Sequence, residues 1–135
     1  MYSDYKDEIR RAIEFRYQLS PYLYSLTDRA HRIGLPIMEA MCSAFQNDPN
    51  CYDEGVDFML GDSLLVANVV EKGASSRSIY LPEGNTFYDF YTRTPYEGGQ
   101  TIEIPVTLSS IPLFVKSGAI LPMATNPMTL SLIHI

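Results

Sequence analysis

Residues 60–84 read LGDSLLVANVVEKGASSRSIYLPEG, and the reading of this stretch decides the fold. Leu64 to Val70 is an apolar run of strand length, entered through Gly61 and Asp62. The EKGASS segment then supplies turn-forming residues, and RSIYLP resumes as a strand that stops at Pro82 and Gly84. Strand, turn, strand is the local reading. The stretch holds no histidine, no cysteine and no phosphate-cradling glycine loop, so its work is packing.

The same pattern continues outward in both directions. DFML (57–60) precedes the stretch as a short apolar run. After PEGN comes TFYDFYT (86–92), where alternation would put Phe87 and Tyr91 on one face and Tyr88 and Phe90 on the other. After EGG comes TIEIPV (101–106), with Ile102 and Ile104 on one side and Thr101 and Glu103 on the other. IPLFVKSGAILP (111–122) reads as two short strands about Ser117–Gly118. Short strands with turn signals every eight to twelve residues predict an antiparallel sandwich.

The N-terminal third follows a different period. Ile9, Ala12, Ile13, Leu19, Leu23, Leu26 and Ala30 roughly keep the spacing of one buried helix face. Ser3 or Asp4 can cap this helix, Asp7 and Glu8 fall in its first turn, and Gly34 with Pro36 ends it. Pro21 should kink or break it, because the ring removes a backbone donor and crowds the preceding turn. LPIMEAMCSAF (35–45) reads as a short buried strand, and QNDPNCYDEG (46–55) as a polar connection.

Composition narrows the function classes. The 135 residues are 46% apolar and 19% charged, outside the range of disordered chains. A net charge of -6 argues against nucleic acid and anionic membrane surfaces as partners. No apolar run reaches the roughly 18 residues of a membrane helix, and MYSDYKDEIRR lacks a signal-peptide core. The compartment stays unassigned, with the cytoplasm the expectation only in that no export signal is visible. Cys42 and Cys51 are expected as free thiols, and with His31 and His134 they form no zinc-spaced set.

Each candidate for chemistry has a plainer use. Asp53, Glu54, Asp57 and Asp62 could supply a carboxylate pair, but spacing alone does not bring two together, and they read as turn formers. His31 suits the negative end of its helix. No serine sits in a G-x-S-x-G elbow, and the glycine turns match neither G-x-G-x-x-G nor a Walker loop. The cluster Phe87, Tyr88, Phe90, Tyr91 and Tyr96 could stack sugars on an exposed face or fill the core. No catalytic residue, cofactor-binding residue or metal ligand is assigned.

A resemblance then joins these pieces. AIEFRYQLSPYLYSLTDRAHRIGLPIM (12–38) resembles the helix and last barrel strand of glycoside hydrolase family 31, the α-glucosidases and α-xylosidases. The quoted 60–84 stretch is similar to the family's LLGDSLLVAPVLEEGATSRDVYLPEG. FYDFYT, YEGGQTIEIPV and SSIPLFVKSGAILP resemble its WYDFWT, YEGGQTITVPA and DRIPVFVRAGSIIP. The match is colinear from about residue 9 to 122. It departs at Glu39, where the family commonly has arginine, at Gly55, Val56, Asp57 and Phe58, which stand for D-x-Q-F, at Asn68 for proline, and at Phe87 for tryptophan.

The resemblance implies an α+β fragment. Residues 1–45 would be the closing helix and last strand of a (β/α)8 barrel, and 46–129 the proximal β-sandwich. Leu130–Ile135, LSLIHI, reverse-translates to the transposon end CTGTCTCTTATACACATC and is read as a sequencing-adapter tail. Family members remove α-linked glucose or xylose from oligosaccharides with retention, using two aspartates in tryptophan-rich surroundings. This chain has no tryptophan and no segment resembling either aspartate motif, so it is expected to be inactive alone. Two other classes stay open: a carbohydrate-binding module using Tyr88, Tyr91 or Tyr96, and a structural domain without a sugar role. A long helix ahead of the sandwich does not suit the binding module, and only the colinear resemblance argues against the structural domain.

Overall fold

The computed structural model describes residues 5–125. The adapter reading of 130–135, His134 and the cap candidates Ser3 and Asp4 lie outside the described residues. The chain divides into two compact units, Met1–Leu35 with Leu121–Ile135, and Pro36–Ile120.

The first unit contains two helices, the expected run being broken beside Pro21. Helix α1 spans Lys6–Gln18 and α2 spans Ser20–Ile33. The interruption falls at Leu19, which places Pro21 in the first turn of α2. There its missing N–H would have had no intrahelical partner anyway, so proline starts the second helix. Gly34 closes α2 in the left-handed region, φ 73°, and its N–H reaches the Ala30 carbonyl at 3.0 Å. His31 and Arg32 occupy the last turn, where positive charge favours the helix dipole.

The expected buried face is only half realised. Leu19 and Leu26 are buried, together with Tyr22, while no residue of α1 is buried. Ile9 and Ile13 stay 42% and 51% exposed. Tyr5, Ile9, Ile13 and Tyr17 follow one another at four-residue spacing, so α1 carries an exposed apolar stripe. Also in this unit, the Ala124 N–H donates to the Gln18 carbonyl at 2.8 Å.

The second unit is built on antiparallel sheets, as the turn spacing predicts. Its strands are β1 Met38–Ala40, β2 Phe58–Leu60, β3 Leu64–Val66, β4 Ser76–Leu81, β5 Thr86–Asp89, β6 Pro95–Glu97, β7 Gln100–Pro105 and β8 Leu113–Lys116. Six form one sheet in the order β1-β2-β3-β8-β5-β6, and β4 pairs with β7 in a second. In the opening stretch, the strand–turn–strand reading holds for β3 and β4, but they lie in different sheets.

The core forms where inward faces of both sheets meet. Met59, Leu65, Phe87 and Phe114 come from the larger sheet, and Ile79 and Leu81 from the smaller. Ile102 and Ile104 pack against this cluster from β7, as their alternation predicts. Burying the largest of these side chains contributes about 2 to 3 kcal/mol each, before ordering costs.

Several boundaries differ from expectation. The strand over 35–45 shortens to β1, an edge strand with exposed Met38, and Met41–Ala44 turns into a helical piece, α3. Met41 of α3 is buried in the core, and Ala44 packs against it. IPLFVKSGAILP yields one strand, β8, because Gly118 adopts φ 78° and the chain leaves the sheet there. β5 ends at Asp89, so Phe90 and Tyr91 sit in a turn and the predicted Phe87–Tyr91 face is not formed.

Candidate functional site

Among the four carboxylates considered as a pair, Asp53 and Asp62 are exposed turn residues. Asp62 accepts from the Ser63 hydroxyl at 3.1 Å. Glu54 and Asp57 do come together, but head to backbone. Glu54 Oε1 accepts the N–H groups of Val56 at 2.9 Å and Asp57 at 3.1 Å. This is the local turn chemistry expected of an acidic residue in a loop.

Asp57 is buried, and its partner is Arg77 on β4, with Nη1 2.6 Å from Oδ1. Burial pushes the Asp57 carboxyl up to about 6, with the Arg77 guanidinium opposing the rise and Glu54 adding to it. Arg77 also donates to the Asn68 carbonyl, and Asn68 Nδ2 donates to the Val56 carbonyl at 2.8 Å. Sequence reading passed over Arg77 and Asn68. A signal existed, because Arg77 shares inward parity with Ile79 and Leu81 on β4, and an inward cation needs a buried partner. Asp57, Asn68 and Arg77 thus form one cluster, and two of its three members are departures from the family pattern.

A second buried carboxylate organises the polar connection. Asp48 accepts from the Tyr80 hydroxyl at 2.8 Å, the Glu83 N–H at 2.9 Å and the Asn50 N–H at 3.1 Å. Burial alone would raise its pKa. The donors of Glu83, Tyr80 and Asn50 together outweigh it and lower the value. Asp89 plays the same part in the β5–β6 turn, where Oδ1 accepts the Tyr91 N–H at 2.8 Å and the Thr92 N–H at 2.6 Å. These carboxylates accept hydrogen bonds that hold loops.

The aromatic candidates separate. Phe87 is in the core against Phe45, ring centroids 6.4 Å apart, and Tyr96 packs on Phe114 at 6.1 Å. Tyr88 and Tyr91 remain exposed, and Tyr91 meets Phe90 edge to face at 5.3 Å. His31 is exposed on α2. Cys42 is an exposed free thiol and Cys51 a buried one. Among the described residues no cluster of three or more His, Cys, Asp or Glu could hold a metal ion. No described helix is long and apolar enough to cross a membrane.

A cleft of about 770 Å³ lies between the loop after β3 and the loop after β7. Val69, Val70, Leu108 and Ile111 line it and are exposed. Val56 and Asn68 line its inner side, which brings the Asp57–Arg77 pair directly behind its wall. The lining is mixed, with Asn68, Glu71, Lys72, Thr107 and Ser110 beside the apolar residues.

The described residues thus form a helix pair followed in sequence by an antiparallel β unit whose buried carboxylates hold loops. The lineage of the chain is specific. Residues 34–121 match the glycosyl hydrolase family 31 C-terminal domain, and the chain belongs to that family. It is 39% identical over 120 residues to an alpha-xylosidase of Saccharolobus solfataricus, covering 89% of this chain and 16% of that protein. It is 41% identical over 121 residues to neutral alpha-glucosidase AB of Sus scrofa, covering 89% and 13%. A Flavobacterium johnsoniae dextranase of the same family, solved with glucose, superposes with a TM-score of 0.84 at 42% identity, over 90% of this chain and 15% of that one. The chain therefore spans about a sixth or less of the relatives it matches.

Proposed function

We propose that this chain is part of a retaining α-glycosidase that releases terminal α-linked glucose or xylose from oligosaccharides, and that it supports the catalytic domain without contributing a catalytic residue. The observation that carries the reading is the run of about 40% identity, over 89% of the chain, to proteins named as an alpha-xylosidase and an alpha-glucosidase. Retention needs two carboxyl groups roughly 5 Å apart across the sugar. The buried carboxylates described here are instead committed to loop backbone, a tyrosine hydroxyl or a guanidinium.

The helix pair of residues 6–33 fits the closing helix of a (β/α)8 barrel, with residues 1–45 as the end of that domain and 46–129 as the proximal sandwich. The exposed stripe of α1 supports this, since a barrel helix buries such a face against its neighbours. β1 stands at the hand-over, because its neighbour, β2, belongs to the sandwich sheet. In this reading the sandwich buttresses the barrel and needs no cofactor.

The test has two arms. Purified 135-residue chain, free of host glycosidase, should release no nitrophenol from α-glucoside or α-xyloside substrates. The DNA upstream of the Met1 codon should encode barrel strands and two aspartate motifs in frame. Turnover by the chain alone, or a promoter and stop codon upstream, overturns the proposal. Saturable binding of malto- or xylo-oligosaccharides that is lost in Tyr91→Ala would favour the binding-module reading instead.

A further inference from the structure

The loop between β3 and β4 forms one wall of the cleft and is held at few points. Ala67 donates to the Pro112 carbonyl at 3.0 Å, and the Ser75 carbonyl accepts from Val106 at 2.9 Å. Between these ends, the ties to the rest of the unit are those of Asn68: its Nδ2 to the Val56 carbonyl, its own carbonyl to Arg77, and its backbone N–H to the Asp57 carboxylate. Val69–Ala74 adds a bond within the loop, Ala74 N–H to the Glu71 carbonyl at 3.4 Å. Arg77 is therefore a principal tether of this wall, and Asp57 holds Arg77.

Asp57 is the acidic partner, with its side chain 2% exposed against 17% for Arg77. The charged groups near it are Arg77 from β4 and Glu54 from its own segment, whose carboxylate already accepts two backbone N–H groups. Glu71 and Lys72 lie on the cleft rim. Across on β7, Glu103 is engaged by the Ser76 hydroxyl at 2.6 Å. No second carboxylate among these is bonded to the guanidinium, so Asp57 decides whether it stays.

We propose that Arg77 is a pH-gated tether of the cleft wall: while Asp57 is ionised the guanidinium holds the loop through the Asn68 carbonyl, and protonation of Asp57 releases it. The sign follows from geometry. A cation 2.6 Å from a carboxylate lowers its pKa, so the state with Arg77 swung away has the higher pKa and gains population as pH falls. The value of about 6 for the carboxyl with Arg77 in place puts the change in mildly acidic solution. The inference stands whatever substrate the parent protein takes.

Hydrogen exchange followed by mass spectrometry on the 135-residue chain tests it. After correction for the intrinsic pH dependence, protection of the Ala67, Asn68 and Val106 amides, which tie this loop down, should drop about tenfold between pH 7.5 and pH 5, while the β5–β8 core holds. Asp57→Asn should be poorly protected there at both pH values. Glu71→Gln, at the cleft rim, should keep the step. Unchanged protection in the native chain overturns the proposal, as does a step that survives Asp57→Asn or vanishes in Glu71→Gln. If Asp57→Asn does not fold, the native chain and Glu71→Gln still decide.

Discussion

Tyr80 on β4 donates its hydroxyl to Asp48 Oδ2 over 2.8 Å, joining residues 32 positions apart in sequence. The same hydroxyl accepts from Asn50 Nδ2 at 3.1 Å, so one side chain satisfies two groups of the 46–55 connection. Tyr80→Phe should cost about 1.5 kcal/mol, read as a lower urea midpoint with unchanged slope. An unchanged midpoint would mean that water replaces the hydroxyl at no loss.

Asp48 also makes a pH prediction. Its folded pKa is lowered, so its stabilising contribution is complete above the unfolded value of 3.8 and is lost as pH falls through the folded one. Asp48→Asn should flatten the stability profile below about pH 4. A variant that keeps the native acid slope would remove Asp48 as its source.

Asp57 has the opposite sign. Its folded pKa is raised from 3.8 to about 6, so its contribution is full below 3.8 and is lost as pH rises through 6. The change is about 3 kcal/mol at most. Global stability and the local tether thus respond oppositely to acid, because a protonated carboxyl is cheaper to bury yet no longer holds Arg77. Thermal midpoints of native protein and Asp57→Asn, scanned from pH 4 to 7.5, should differ in this slope.

Two glycines separate a position with a steric demand from one with none. A Cβ on Gly98 would stand 2.0 Å from the Pro82 carbonyl oxygen and 2.6 Å from that of Asn85, both backbone atoms. Gly98→Ala should therefore destabilise by about 3 kcal/mol or more, or fail to fold. Gly55→Ala, with nothing within 4 Å, should fall within about 0.5 kcal/mol of native. Equal midpoints for the two variants would contradict the close approach at Gly98.

The thiols should report folding. Burial raises the Cys51 pKa to about 11, with Asp48 adding to it, while Cys42 is exposed. Iodoacetamide at pH 8 should label Cys42 promptly and Cys51 only at the rate of unfolding. Equal labelling of both in native buffer would show that the core around Cys51 is open.

The stripe on α1 predicts self-association. Ile9→Glu with Ile13→Lys replaces two exposed apolar residues by a pair at helical i, i+4 spacing and should raise the monomer fraction in light scattering. An unaltered distribution would place any association elsewhere on the chain.

Legibility followed the kind of signal each element carries. β4 and β7 were readable because half-buried strands alternate, and the end of α2 because Gly34 takes a left-handed conformation. α3 and β6 were missed, being too short to show a period. The division of the helix was legible from Pro21, and the break falls two residues before it because proline is accommodated in a first turn. The Asp57–Asn68–Arg77 cluster lay hidden because its members are 11 and 9 positions apart and meet only after β3 and β4 are placed.

The centre of the larger sheet is the pairing of β3 with β8, Leu64 with Val115 and Val66 with Leu113. During synthesis β3 leaves the ribosome almost fifty residues before its partner. Until then only β2 covers one of its edges, and the apolar Leu64–Val66 run lies open on the other. β5 and β6 must likewise wait for β8 to join them to that half. A nascent chain halted short of Lys116 would leave both halves of the sheet as clients for chaperones.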